Sequence, residues 1–182
     1  MRHCKGCSKL TDTGCSLNFN AVKSEKQDLW LRPNNCFKKY REKEKLAAKA
    51  RKDYKKLVAK LDDIFQMYVR YRDNWTCCCC GKRIAPDADK AKLNMHAGHY
   101  ITRKVLSLRW DEKNVHAQCR TCNMQQNYLG IDPRYTRMLV MKYGPDIINY
   151  FTDKRWEQVK FSCEELEEKI KYYSDKLAQF KK

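Results

Sequence analysis

The chain has no run of about 18 apolar residues, the length a membrane-spanning helix needs. It also lacks an opening secretory signal, so a cytoplasmic setting without membrane association is expected. Acidic residues are scarce: 22 Asp and Glu stand against 39 Lys and Arg, a formal net charge of +17 over 182 residues. An excess of one sign repels itself in a folded chain and implies a polyanionic partner. With the apolar run missing, nucleic acid fits that role better than an anionic membrane. Residues 1–37 are short of apolar side chains, too few to fold around a core of their own. Residues 38–73 contain neither glycine nor proline, which predicts one long helix. No internal repeat is present, and the length suits one domain with an appendage or two small units.

Cysteine, by contrast, is abundant: eleven residues, several in C-x-x-C pairs. A reducing cytoplasm and an odd count favour metal over disulfides. The strongest signal is Cys77-x2-Cys80 followed, after 38 residues, by Cys119-x2-Cys122, a spacing that closes a four-cysteine structural Zn²⁺ site. The run Cys77 to Cys80 leaves the register open. Gly81 suits the left-handed position of a knuckle turn, which favours Cys77 and Cys80 as ligands. At the N-terminus, Cys4-x2-Cys7, Cys15 and Cys36 are candidates for a second zinc knuckle, serving DNA docking or helix placement. Cys163 has no partner in sequence and reads as an apolar filler.

Four regions follow: a Cys-rich segment 1–37, a basic and amphipathic helix 38–73, a central Cys/His core 74–130, and C-terminal helices 131–182. Leu57, Leu61, Ile64, Phe65 and Tyr68 form one apolar stripe at helical spacing. Residues 38–60 carry eleven Lys or Arg and three Asp or Glu, an arm suited to tracking phosphates through Lys49, Arg51, Lys52, Lys55 and Lys56. In the core, Leu93–Ile101 and Val105–Trp110 are expected as short strands, and a helix is expected from Cys119–Cys122 to Tyr128. Asp132-Pro133 reads as a cap with Pro at the first helical position, Gly144-Pro145 as a break, and Ser162 with Glu165 as a capping box. The last helix presents Leu166, Ile170, Tyr173 and Leu177 on one face, either an interface for a homodimer or a surface packed within the monomer.

Inside the loop closed by the central cysteines lie His96, His99, Asn114 and His116, which a purely structural zinc ribbon does not need. Phosphodiester hydrolysis needs a base for water and a divalent cation against the phosphate charge. His99 is the candidate base, Asn114 a residue that holds its ring, and His96 with Asn123 the candidate ligands of a catalytic ion. His116 reads as a packed strand histidine. Arg103, Lys104 and Arg109, beside these residues, are candidates for phosphate contact. Tyr68, Tyr71, Trp75 and Trp110 read as packing anchors.

The element Ala97-Gly98-His99-Tyr100, with Asn114-Val115-His116-Ala117-Gln118-Cys119-Arg120-Thr121-Cys122-Asn123, resembles the HNH nuclease motif, and more narrowly the phage NinG/Rap recombination proteins. The resemblance implies an α+β fold: a small ββα-metal, treble-clef-like core stapled by zinc and embedded among helices. It implies a structure-selective endonuclease acting on branched DNA such as Holliday junctions or D-loops, working in the bacterial host cell. His99 then matches the base, Asn114 the middle asparagine and Asn123 the last metal position. Where many HNH proteins have Asp directly before the base, this chain has Gly98. Where the narrower group can have Asp three residues before it, this chain has His96. An imidazole in place of a carboxylate softens the site, so that of the expected catalytic ions Mg²⁺ or Mn²⁺ the former is less suited, and Mn²⁺, Ni²⁺ or Zn²⁺ would support activity better. Two other readings of the same residues are a zinc-finger DNA-binding accessory protein without nuclease activity, and an HNH enzyme that cuts duplex DNA.

Overall fold

In a computed structural model of the chain, the backbone is described for residues 10–11, 14–15, 22–24, 29–31, 36–87 and 90–180, and side chains from residue 42 onward except 88, 89, 127, 181 and 182. The chain forms two compact units, Met1–Tyr54 and Lys55–Lys182.

The first unit holds two small antiparallel hairpins, β1 (Leu10–Thr11) with β2 (Gly14–Cys15) and β3 (Val22–Ser24) with β4 (Leu29–Leu31), and the start of helix α1 (Cys36–Arg72). Cys4 and Cys7 lie outside the described residues, and so do the side chains of Cys15 and Cys36. Lys49, Arg51 and Lys52 are exposed on α1.

The second unit is α+β. The rest of α1 is followed by α2 (Ala91–Asn94), β5 (Met95–His99), α3 (Leu106–Arg109), β6 (Val115–Cys119), α4 (Arg120–Leu129), α5 (Pro133–Tyr143), α6 (Ile147–Trp156) and α7 (Cys163–Gln179). β5 and β6 pair antiparallel, with Met95 opposite Cys119 and His99 opposite Val115. Lys55 and Lys56 are exposed. Among the described residues, no helix is long and apolar enough to cross a membrane.

Two of the sequence expectations change here. Residues Val105–Trp110 are not a strand: Leu106–Arg109 form a helical turn, and the partner of β5 is Val115–Cys119. The strand expected over Leu93–Ile101 shortens to Met95–His99, because α2 occupies its first residues. Alternation of apolar and polar residues misled, because β6 is covered on both faces. Its residues Val115-His116-Ala117-Gln118-Cys119 alternate in sequence, but all five are buried, so the alternation does not mark a solvent face.

Burying a two-stranded sheet creates a problem at its free edge, where each unpaired backbone group costs about 1–3 kcal/mol. The end of α1 solves it for β6. Arg72 donates to the carbonyls of Glu112 (2.9 Å) and Val115 (2.7 Å), and the Ala117 amide donates to Asp73 (2.7 Å). The Cys78 amide donates to Ala117 from the knuckle, at 2.8 Å. Arg72 and Asp73 are themselves paired at 2.8 Å.

The apolar stripe of α1 is used as its spacing implies. Leu61, Phe65, Tyr68 and Val69 are buried, and Phe65 meets Tyr173 of α7 edge-on at 4.7 Å. The capping box of Ser162 and Glu165 starts α7, whose Leu166, Ile170 and Tyr173 are buried within the chain. Tyr173 also donates to the Trp110 carbonyl (3.0 Å), and Lys176 pairs with Glu112 at 2.7 Å. The face offered as a dimer surface is therefore covered by the monomer. Asp132 caps α5 through the Arg134 amide, and Gly144 ends it at φ 86°. Tyr68, Trp75 and Trp110 are buried and Tyr71 is half-buried, as packing anchors.

Burial works to raise the pKa of Asp73, but the Arg72 hydrogen bond and charge and the Ala117 amide outweigh it, so its carboxyl sits below the usual range. A depressed carboxyl contributes stability that is present above the unfolded pKa of about 4 and is lost as pH falls through the folded value. Asp73→Asn is expected to cost about 3 kcal/mol at pH 7, the scale of breaking a buried pair. In denaturant melts the gap between variant and wild type should narrow below about pH 4; a gap independent of pH would reject this role.

Candidate functional site

The four sulfurs of Cys77, Cys80, Cys119 and Cys122 lie within 4.8 Å of one another. A tetrahedral ion with bonds of about 2.3 Å to sulfur requires sulfurs about 3.8 Å apart. The Cys80 and Cys119 sulfurs are 3.7 Å apart, so the set fits Zn²⁺. The knuckle is built locally: Gly81 donates to the Cys77 carbonyl (2.9 Å) at φ 71°, the left-handed conformation its position calls for. Cys119 caps α4, and Cys122 lies in its first turn. Cys79 lies instead within reach of Cys122 and Asp132. Cys163 is half-buried at the start of α7.

Beside this cluster, at the end of β5, opens a cleft of about 750 Å³. His96, His99, Asn123 and Gln126 line it, and so do the cations Arg70, Lys92 and Arg103. No Asp or Glu is among its described lining residues.

His99 is held by one ring nitrogen. Its Nε2 lies 2.9 Å from the Arg109 carbonyl, which can only accept, so Nε2 carries the proton and Nδ1 keeps a bare lone pair. Burial pushes the imidazole below the usual 6.5, against the opposing pull of that carbonyl, so the ring is neutral at pH 7 and able to act as a base. Its backbone is pinned as well. Gln126 donates to the His99 carbonyl (2.8 Å) and accepts from Gln118 (3.0 Å). Tyr135 of α5 donates to the carbonyl of Gly98 (2.9 Å).

Gly98 has a steric reason. A Cβ at this position would lie 1.9 Å from Oε1 of Gln118, so any side chain here requires the buried Gln118 to shift.

Asn114 does not hold the His99 ring, as was expected of it. It is fully buried and closes the loop between the strands: Nδ2 donates to the carbonyls of Ile101 and Leu108 (both 2.9 Å), and Oδ1 accepts from the Ile101 amide (2.7 Å). Its part is to position the segment whose Arg109 carbonyl holds the ring. Arg109 also departs from expectation: its guanidinium is paired with Asp62 (2.5 Å), which accepts from Trp110 as well (2.8 Å), so it braces α1 and is not offered to phosphate. Arg103 and Lys104 are exposed, and Arg103 lines the cleft.

His96 and Asn123 are brought together, with His96 Nδ1 2.9 Å from the Asn123 amide nitrogen and His96 Nε2 3.0 Å from the Leu93 carbonyl. Turning the amide over would present two neutral donors about one octahedral ligand spacing apart. With no carboxylate among the described lining residues, they suit a borderline ion that completes its shell from phosphate and water. His116 is a packed strand residue, buried against Tyr143 (3.1 Å) and Tyr135, and burial holds its pKa down to about 3.

The model of the family described as Bacteriophage Lambda NinG protein matches residues 2–182. The chain belongs to the bacteriophage lambda NinG family. Among curated proteins and solved structures, none matches it. The match spans both units of this NinG-family chain, and so takes in the cysteine cluster and the cleft together. Sequence reading missed Gln118 and Gln126 as supports of His99, Asp62 as the partner of Arg109, and Arg70 as a cleft residue. The first two stand in the quoted motif and its helix; the others carry no local signal.

Two outcomes test this geometry. Cys122→Ser should lose one zinc per chain and unfold the core on chelation-like terms, whereas Cys78→Ser should retain the zinc, as read by metal analysis and thermal melting. Gly98→Ala should destabilise by about 1–3 kcal/mol through overpacking; a neutral Gly98→Ala would mean that Gln118 moves freely.

Proposed function

We propose that this protein is a metal-dependent DNA endonuclease of the HNH, ββα-metal kind, acting on branched recombination intermediates. The observation that carries the reading is the setting of the His99 ring. Its Nε2 is fixed on a carbonyl, and its Nδ1 is left available in a cleft whose charged lining residues are all cations.

In this mechanism His99 Nδ1 takes a proton from water as the oxygen attacks phosphorus. The new P–O bond forms as the bond to the 3′-oxygen breaks, and that oxygen leaves. The Arg109 carbonyl keeps the ring oriented through the proton transfer, and Asn114 keeps that carbonyl in place. A divalent ion bound by His96 and Asn123 would supply charge neutralisation at the phosphate, and the neutral donor set favours Mn²⁺ over Mg²⁺. The four-cysteine zinc is structural. The exposed basic face of α1 at Lys49, Arg51, Lys52, Lys55 and Lys56 adds sequence-independent attraction to the DNA backbone.

Branched DNA as the substrate follows from the family resemblance. The same cleft in a protein that binds DNA without cutting it is the second reading, and it is supported by the lack of a carboxylate among the described residues that line the cleft.

The test is cleavage of a labelled four-way junction beside a matched linear duplex, with Mn²⁺ and Mg²⁺ in turn. Paired cuts near the crossover are expected, faster with Mn²⁺, and reduced at least about 100-fold in His99→Ala, the scale of losing a general base. Equal cutting of both substrates would remove the branched-DNA assignment. No cutting by folded, zinc-loaded protein would leave the DNA-binding reading.

A further inference from the structure

We infer that Arg70 is the phosphate-recognising side chain of the cleft, binding a backbone phosphate of a nucleic acid strand beside His99. The inference rests on reading the cleft as a nucleic acid site, but not on cleavage.

Arg70 lies in the last turns of α1, among residues that form the core, and is only 6% exposed. A guanidinium removed from water costs several kcal/mol unless its charge is met. The two neighbouring arginines in comparable positions are met: Arg72 by Asp73 and Arg109 by Asp62. Arg70 forms no direct ion pair among the described residues; the Asp63 carboxylate acts on it only through longer-range charge, which does not outweigh its burial. Its Nε donates to the Met95 carbonyl (2.7 Å), its Nη1 lies 3.3 Å from the Met67 sulfur, and its face lies 6.0 Å from the Trp75 ring centre.

A guanidinium has five N–H donors. Those contacts use two, which leaves three, and Arg70 lines the cleft. A planar fork with free donors matches two oxygens of a phosphate. The other charged groups lining the cleft, Lys92 and Arg103, have the same sign, so the pocket draws an anion and offers a cation no charged partner.

The anchor matters as much as the charge. Met95 opens β5, the strand that carries His96 and His99. Through Nε, the guanidinium is therefore set by the same strand as the candidate base and ligand, and needs little reorganisation to receive the phosphate.

A strut between α1 and β5 would need only the Nε contact, and the two roles separate by experiment. Thymidine 3′,5′-bisphosphate is titrated into the full zinc-loaded chain without Mg²⁺ or Mn²⁺, by calorimetry and by following arginine Nε–Hε resonances. This probe is too short to span the basic face of α1. Arg70→Gln should weaken binding at least tenfold with zinc content retained, and Arg70→Lys should recover part of it. A zinc-loaded Arg70→Gln that binds as wild type would overturn the inference. Should Arg70→Gln fail to fold, the wild-type chain decides. The Arg70 resonance, identified by its loss in Arg70→Lys, must shift in step with saturation, and a resonance that stays still overturns the proposal. Inorganic phosphate binding as tightly as the bisphosphate would overturn the nucleic acid assignment. Arg70-dependent binding with an uncut junction would leave this inference standing and remove only the nuclease reading.

Discussion

The second unit depends on how the outer edge of one buried strand is satisfied. β6 is covered on both faces and paired on one side only, so its remaining backbone groups must find partners inside the protein. Arg72, Asp73 and the Cys78 amide supply them. That arrangement fixes the end of α1 and the cysteine knuckle against the same strand. It brings Cys77 and Cys80 to Cys119 and Cys122, and it sets the registry in which β5 presents His99 at the cleft. A metal ion held by these four cysteines would tie together elements that the backbone hydrogen bonds have already aligned.

The cleft is built from neutral and cationic groups on a rigid frame. His99 is oriented through its ring by one carbonyl and through its backbone by Gln126, itself held by Gln118. Carboxylates are present nearby but committed elsewhere: Asp62 to Arg109 and Trp110, Asp73 to Arg72 and β6, Glu112 to Tyr68 and Lys176. Each braces a helix against the core. This sorting leaves the cations Arg70, Lys92 and Arg103 to face the cleft, consistent with a polyanion as the partner and with an ion that depends on the substrate for oxygen ligands.

Legibility followed the range of the interactions. The clustering of Cys77, Cys80, Cys119 and Cys122, the turn at Gly81, the caps of α5 and α7 and the apolar stripe of α1 could be read because each rests on residues within a few positions of one another, or on a spacing that metal geometry demands. The role of His116 was readable because a histidine between strand residues has few alternatives. Asn114 was expected to hold the His99 ring, but only the folded loop shows that its amide reaches Ile101 and Leu108. Val105–Trp110 carried strand-like residues, yet the closure of that loop winds it into a turn.

What the sequence by itself determined is the set of groups available: two C-x-x-C pairs at metal-binding spacing, histidines and asparagines within the loop they close, and a large positive charge, all of which depend on residue type and short spacing. What the tertiary structure alone decided is which charges are spent. Arg109 and Arg70 are the same residue type, but Arg109 meets Asp62, 47 positions away, while Arg70 meets a carbonyl and a thioether. A charge is available to a ligand only when folding has left it without a counter-ion, and pairing across such distances is written in packing, not in local pattern.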